Sequence, residues 1–163
     1  MTFITIALKR VSDFFEYIAS LLAKISVAVM IVVVILAVIC RYIFKYPLPW
    51  ADELALFMLL WSTFLGASLS IKKSEMIAAT FLLDRLQGKG RLLADITIQI
   101  LVLVLTIILF VYGFKWIMAP NTVSATSSAL RIPMWIPYLI FPITMAFITV
   151  FSFEKIILRL SSK

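Results

Sequence analysis

The residues best suited to chemistry or specific binding lie between two long apolar runs, in the stretch that begins at Arg41 and ends at Glu53. Three interpretations fit its spacing. Asp52 and Glu53 can complement the positive end of the dipole of a helix that starts near Pro49. Alternatively, Arg41 and Glu53 form a half-buried salt bridge that fixes the hairpin, with Trp50 in an interfacial aromatic belt. In the third interpretation these residues contact a ligand directly.

Few residues of the chain could support enzymatic chemistry. The chain has no histidine, which removes the commonest general base and metal ligand and the axial ligands of a membrane cytochrome b. Its single cysteine cannot form an internal disulfide. Asp52, Glu53 and Asp84 remain as acids or bases of a membrane enzyme, an alternative that the lack of a carboxylate cluster disfavours. We therefore expect no catalytic residue, no cofactor and no metal.

The composition requires a membrane. Hydrophobic residues make up 64% of the chain and charged residues 14%, far outside the usual range of a soluble domain. Because about 20 apolar residues span the roughly 30 Å hydrocarbon core, the charge-free runs predict an all-α integral membrane protein with four transmembrane helices. We expect a single membrane domain over residues 1–163, with spans at approximately 20–43, 50–71, 94–115 and 132–154.

The basic residues predict the orientation. Eleven of the 15 lysines and arginines lie in the N-terminal segment, the connection after the second span and the C-terminal tail. The positive-inside rule therefore places both termini in the cytoplasm. These residues stand at the ends of apolar runs rather than in one dense patch, which favours anionic lipid headgroups over nucleic acid as their partner. Lys72, Lys73 and Arg85 are the expected anchors.

Two segments are predicted to lie at the membrane interface, at approximately residues 3–19 and 75–87. In the first, apolar residues such as Phe14, Phe15 and Ile18 recur at helical spacing, with charged residues on another stripe. Such an amphipathic N-terminal helix lies flat on the membrane or tilts into the first span. The case for the second segment is weaker.

A stripe of small residues marks the second span. Ser62, Gly66 and Ser70 are spaced by four, which permits close approach of another helix. That helix can belong to a partner subunit or to the chain's own bundle. Trp61 and Pro142 are two further residues expected near an interface. Pro142 should bend the fourth span, because proline leaves the carbonyl four residues earlier without its helical donor.

The middle of every span lacks charged residues. Since ionisable groups within a membrane are the usual mark of an ion or proton pathway, we expect that the chain transports nothing by itself and acts through contacts. The main alternative is a small self-oligomerising channel, an exporter or a holin-like protein, which the absence of an evident polar stripe to line a pore disfavours.

A family resemblance accompanies these features. The chain resembles the small membrane subunit of tripartite ATP-independent periplasmic (TRAP) transporters in length, in the four-span plan and in a set of motifs. Those motifs are Arg41, Trp50, Glu53, Trp61, Gly66 and Lys72-Lys73, then Pro133-Met-Trp-Ile-Pro-Tyr138 and Pro142. Met76 stands near the position at which many relatives carry a histidine soon after the basic pair.

The resemblance implies partners. These are a large multi-span subunit that carries substrate and sodium, and a soluble periplasmic binding protein that delivers an organic acid such as sialic acid or a C4-dicarboxylate. It also implies a bacterial inner membrane location and a scaffold role, in which the small subunit braces the large one.

Overall fold

The computed structural model describes residues 3–73 and 89–161. Within these ranges the chain is helical apart from its connections and one isolated bridge between Thr126 and Pro133. The helices are α1 (Phe3–Tyr42), α2 (Pro49–Lys73), α3 (Lys89–Ile117), α4 (Pro120–Ser124), α5 (Trp135–Tyr138) and α6 (Ile140–Ser161). The predicted interfacial segment at 75–87 lies outside the described residues, as do Asp84 and Arg85.

Four stretches of the described chain are long and apolar enough to cross a membrane. They are Leu8–Tyr42, Pro49–Lys73, Ile96–Ile117 and Trp135–Ile157. The predicted all-α membrane fold with four spans is therefore confirmed. We call the end at which α1 begins and α2 and α6 finish the terminal end. The opposite end, where residues 43–48 join α1 to α2, is the hairpin end.

Helix α1 differs from its prediction because it is continuous over 40 residues. At about 1.5 Å per residue it is roughly 60 Å long, about twice the hydrocarbon thickness. Neither glycine nor proline interrupts it, so nothing in its backbone separates an interfacial helix from a span. Ser12 and Ala19 are fully buried, and the Phe15 ring lies 5.2 Å from the Phe147 ring. One face of the second half of the predicted interfacial segment therefore packs against the bundle, while Phe14 and Tyr17 stay exposed. The segment continues into the first span, and its place at the membrane interface stays a prediction.

Helix α6 is the centre of the bundle. It packs against α1, α2 and α3, and half of its most apolar window is buried, against 17% or less for the other three spans. Helices α1 and α2 form a hairpin along one side of it. Helix α3 packs on another side, and most of its remaining surface is open.

Three of the helices bury residues spaced by seven or fourteen, which are whole repeats of a left-handed coiled-coil seam. The buried positions are Ser12, Ala19, Ser26 and Val33 on α1, Ala51 and Leu65 on α2, and Ile140, Phe147 and Glu154 on α6. The seam positions on α1 are small, which allows the helix backbones to approach closely.

The contact between α3 and α6 is partly polar. Thr149 of α6 donates a hydrogen bond to Thr106 of α3 at 3.2 Å. Gly113 sits against the Phe141 ring so closely that an added Cβ would overlap the ring. A larger residue at this point of α3 therefore requires the Phe141 ring to shift.

The fourth span is broken near its start. Helix α5 ends at Tyr138 and α6 begins at Ile140, which is where Pro142 was expected to cause a bend. Since Pro142 has no N–H, it cannot donate to the carbonyl of Tyr138. The indole N–H of Trp61 donates to the neighbouring carbonyl, that of Pro137, at 3.1 Å. Trp61 thus links α2 to the broken part of the span.

Candidate functional site

The hairpin end is shaped by the way α1 finishes. Lys45 adopts a left-handed backbone conformation with φ 53°, and the Tyr46 N–H donates to the Cys40 carbonyl at 3.0 Å. This reversal brings Arg41 beside the first turn of α2. The Nη2 atom of Arg41 lies 2.6 Å from Oδ2 of Asp52, and about half of each side chain is exposed.

The predicted pairing of Arg41 with Glu53 is therefore wrong in the structure. Consecutive residues of an α-helix point about 100° apart, so Asp52 and Glu53 cannot face the same neighbour. Asp52 faces Arg41, and Glu53 faces the connection between α4 and α5. Trp50 lies one position into α2 and is 39% exposed, among other exposed aromatic side chains of the hairpin end.

Glu53 holds that connection through its backbone. One carboxylate oxygen accepts hydrogen bonds from the N–H groups of Ala129 and Leu130, at 3.0 and 2.9 Å. Charge-assisted bonds of this kind are stronger than bonds between neutral groups. Two successive backbone N–H groups that converge on one anion form a nest. The carboxylate of Glu53 occupies this nest.

The connection itself is a closed loop. The Ser127 N–H donates to the Ile132 carbonyl at 2.8 Å, and the Met134 N–H donates to the Ala125 carbonyl at 2.9 Å. Arg131 takes a left-handed conformation with φ 54° at the tip. The loop therefore has its own internal bonds and is attached to α2 at Glu53.

The predicted small-residue stripe on α2 has an open centre. Gly66 is exposed, and no side chain or neighbouring helix of the described chain comes within 4 Å of the position that its Cβ would take. The residues that α2 buries in its own bundle are Ala51, Leu65 and Ser68. Ser62 is half-buried and donates to the Leu59 carbonyl of its own helix at 2.9 Å. Gly66 is therefore not used for packing inside the described bundle.

Two other residues assigned to a partner interface lie inside the chain. Pro142 is buried in the bundle, so it offers no surface to another subunit, and its assignment is corrected. Trp61 is half-buried against the cluster formed by residues such as Leu65 and Phe147. Its indole is turned toward α5, as its bond to Pro137 shows.

A cluster of charged and polar residues closes the terminal end, and we call it the polar layer. It consists of Ser12 and Asp13 of α1, Lys72 of α2 and Glu154 of α6. Lys72 Nζ lies 2.6 Å from Glu154 Oε2 and 3.1 Å from Asp13 Oδ1. The Ser12 hydroxyl donates to the same oxygen of Glu154 at 2.5 Å.

The polar layer corrects the role predicted for Lys72. Its side chain is only 11% exposed and its ammonium group is bound by the chain's own side chains, so it is not available to anchor lipid headgroups. Lys73 is exposed. Lys155 donates to the carbonyl of Ile71 and thereby satisfies one of the last carbonyls of α2.

The sequence contained a signal for the polar layer that charge counting missed. Glu154 follows Ile140 and Phe147 at a spacing of seven, in phase with a buried seam. An acid at a seam position requires a basic partner.

Within the described residues, no group of three or more cysteines and carboxylates could hold a metal ion.

Known proteins match this chain. The sequence model of the family described as "Tripartite ATP-independent periplasmic transporters, DctQ component" matches residues 30–162. The chain is 28% identical over 101 residues to the isethionate TRAP transporter permease protein DctMQ of Oleidesulfovibrio alaskensis, which covers 62% of this chain and 16% of that protein. It is 31% identical over 75 residues to the sialic acid TRAP transporter small permease protein SiaQ of Vibrio cholerae, which covers 46% of this chain and 43% of that protein.

The alignments span less than half the length of either of these relatives. The family match, in contrast, extends over most of the four spans. The chain therefore belongs to the DctQ component family of tripartite ATP-independent periplasmic transporters.

Proposed function

We propose that this chain is a scaffold that binds and braces the large membrane subunit of a TRAP transporter. In this role it serves sodium-coupled, binding-protein-dependent uptake of an organic acid, such as sialic acid or a C4-dicarboxylate. Family membership supports the general role. The names of the two relatives include isethionate and sialic acid, which supports an organic anion as the substrate.

One observation carries the bracing role, namely the open face of α2 around Gly66. Helix association in a membrane depends on close packing rather than on a hydrophobic driving force, and small residues allow that packing. Inside its own bundle the chain uses Leu65 and Ser68 of α2, and Gly66 remains open. A helix of the large subunit is the occupant that we assign to this face.

The relative DctMQ supports a large partner. The region similar to this chain covers 16% of the length of that permease protein, so most of it lies outside the similarity. The present chain has no charged residue in the middle of its spans, which fits a division in which the ion and substrate path lies elsewhere.

The test is copurification of the large subunit with variants at two glycines. Gly66 and Gly90 both have open space where a Cβ would lie, within the described part of the chain. We expect Gly66→Leu to reduce copurification strongly, because a leucine prevents close approach. Gly90→Leu, on α3, is the matched control and should leave the complex intact. An intact complex with both variants would remove the Gly66 face from the interface.

The Gly66→Leu variant also tests whether the chain assembles with itself instead. If the chain instead formed a channel from several copies, Gly66→Leu would change its own oligomeric size in detergent, and the purified chain would conduct ions alone. If the chain braces a large subunit, the purified chain alone should conduct no ions, and uptake should depend on the complex.

We also propose that the chain lies in a bacterial inner membrane, with both termini in the cytoplasm and the hairpin end on the periplasmic side. The distribution of lysine and arginine supports this orientation. In a Cys40→Ala background, Tyr46→Cys should react with a membrane-impermeant maleimide in intact spheroplasts, since Tyr46 is 69% exposed. Lys9→Cys, also exposed, should react only after permeabilisation. The reverse pattern would invert the topology.

This orientation assigns a second contact. The periplasmic binding protein would approach the hairpin end, where Glu53 holds the loop that begins at Ala125 and ends at Met134. The exposed lysines and arginines of the other end, such as Lys73, would lie near lipid headgroups.

A further inference from the structure

The polar layer uses every donor of its lysine. An ammonium group has three N–H donors, and Lys72 donates to Ser12 at 2.7 Å, to Asp13 at 3.1 Å and to Glu154 at 2.6 Å. Ser12 in turn donates to Glu154. Three different helices supply these groups. Lys72 and Glu154 are nearly buried, with 11% and 5% of their side chains exposed.

This arrangement exists in one alignment of the helices only. Moving one helix along its axis by a single turn displaces its side chains by about 5.4 Å, which takes an ammonium beyond hydrogen-bonding distance of its acceptors. Breaking a buried ion pair leaves an uncompensated charge, which is much more costly than replacing both partners by apolar groups. The polar layer therefore penalises every shifted alignment.

The rest of the seam distinguishes alignments poorly. On α1 the buried positions Ser12, Ala19 and Ser26 are small and spaced by seven, so a shift of α6 by one seven-residue repeat places its residues opposite another small residue of α1. Helix α2 is held in place against α1 by the short connection at residues 43–48. No short connection joins α6 to either helix.

We propose that the polar layer sets the register of α6 against the α1–α2 hairpin. A single polar group at a seam position is known to specify register in coiled coils at some cost in stability, and here an ion pair and a hydroxyl occupy one level of a three-helix seam. The consequence reaches the other end of the bundle. Helix α6 begins at Ile140, 14 residues before Glu154 and about 21 Å away along the helix axis, and just before this start the carbonyl of Pro137 must meet Trp61.

The register can be measured by disulfide formation in the full-length chain in membranes. In a Cys40→Ala background, Phe15→Cys is combined with one cysteine on α6 at a time. The α6 positions are Ile140, Thr144, Phe147 and Phe151, which are spaced by about one turn each. Because the rings of Phe15 and Phe147 are 5.2 Å apart, we expect an intact polar layer to give a single maximum at position 147.

Replacing both charges by methionine tests the proposal. Lys72→Met with Glu154→Met keeps the volume and leaves no buried unpaired charge, since Asp13, which also loses its cation, is half exposed, so the helices should still pack. We expect the yield at position 147 to fall by at least about half as neighbouring registers become populated, and new products to appear at position 144 or 151. Ser68→Ala, which removes a buried hydroxyl of α2 outside the polar layer, should leave the profile unchanged.

The exchanged pair provides the second measurement. Lys72→Glu with Glu154→Lys, combined with Asp13→Asn so that no second carboxylate lies beside position 72, restores opposite charges and should restore the single maximum at position 147. A double-methionine variant that keeps this single maximum would overturn the proposal, as would an exchanged pair whose profile is broad. If the double-methionine chain does not accumulate, the exchanged pair decides alone, since a single maximum supports a register-setting ion pair and a broad profile contradicts it.

Discussion

The carboxylate of Glu53 lies 2.9 Å from the backbone nitrogen of Leu130, which is 77 positions later in the chain. Ala129 contributes a second N–H to the same oxygen at 3.0 Å. The first turn of α2 is thereby fixed to the loop that leads into the fourth span. The carboxylate of Glu53 thus adds a charged attachment to a loop that also has internal hydrogen bonds.

Removing this charge should release the loop. In Glu53→Gln the side chain keeps an oxygen acceptor but loses the charge that strengthens both bonds. We expect the amide protons of Ala129 and Leu130 to exchange roughly tenfold faster, because local opening of the loop becomes easier. Hydrogen exchange followed by mass spectrometry over residues 125–134 measures this. Asp52→Asn, one residue earlier, is the control and should leave the exchange of this segment unchanged.

The partner of Arg41 can be identified by double-mutant cycles. Arg41 and Asp52 are joined at 2.6 Å but both are about half exposed, so we expect a coupling free energy of about 0.2–1 kcal/mol between them. A cycle between Arg41 and Glu53 should show no measurable coupling. Thermal unfolding of the four variants of each cycle in detergent gives both values, and a larger coupling with Glu53 would contradict the pairing in the structure.

The sequence was sufficient to predict the fold class because the apolar runs are long and charge-free. It could not assign Arg41 correctly, since Asp52 and Glu53 are adjacent and either can be drawn beside it. Which of the two acids faces Arg41 depends on the loop around Leu130, because Glu53 binds that loop and the loop reaches Glu53 only in the folded chain. Contacts between residues so far apart leave no local pattern.

The polar layer illustrates a second limit. Counting charges treats Lys72 and Lys73 as equivalent members of a basic pair at a membrane surface. Helical geometry makes them different, because Lys72 follows the buried Leu65 at a spacing of seven, and Lys73 is exposed. The sevenfold spacing along α2 therefore distinguishes the two lysines, whereas their charge and their place beside the apolar run do not.

A larger residue at Gly113 should detach α3 from α6. An added Cβ there would overlap the Phe141 ring, so we expect Gly113→Ala to lower the free energy of unfolding by about 1–3 kcal/mol through overpacking. Phe141→Leu in the same chain should recover part of the loss, because a smaller side chain makes room. Thermal unfolding in detergent measures both effects.

Gly66→Ala is the matched control for this prediction. Gly66 also lies in a helix but has open space at its Cβ position in the described chain. The free energy of unfolding of the isolated chain should stay the same or rise by up to about 1 kcal/mol, since alanine favours helix. Equal losses at both glycines would show that overlap with Phe141 is not the cause.

The two adjacent lysines at the end of α2 should respond very differently to the same change. Lys72→Met leaves Glu154 buried without its cation, and we expect a loss of about 3–5 kcal/mol in the free energy of unfolding. Lys73→Met removes an exposed charge and should change it by less than about 0.5 kcal/mol. The double variant Lys72→Met with Glu154→Met should recover most of the loss, because no buried unpaired charge remains and Asp13 is half exposed. Unfolding of the three variants in one detergent decides the point. A double variant as unstable as Lys72→Met would mean that the lysine acts through its cation–π contact with Phe151, whose ring centre lies 5.6 Å from the ammonium group, rather than through its pairing with Glu154.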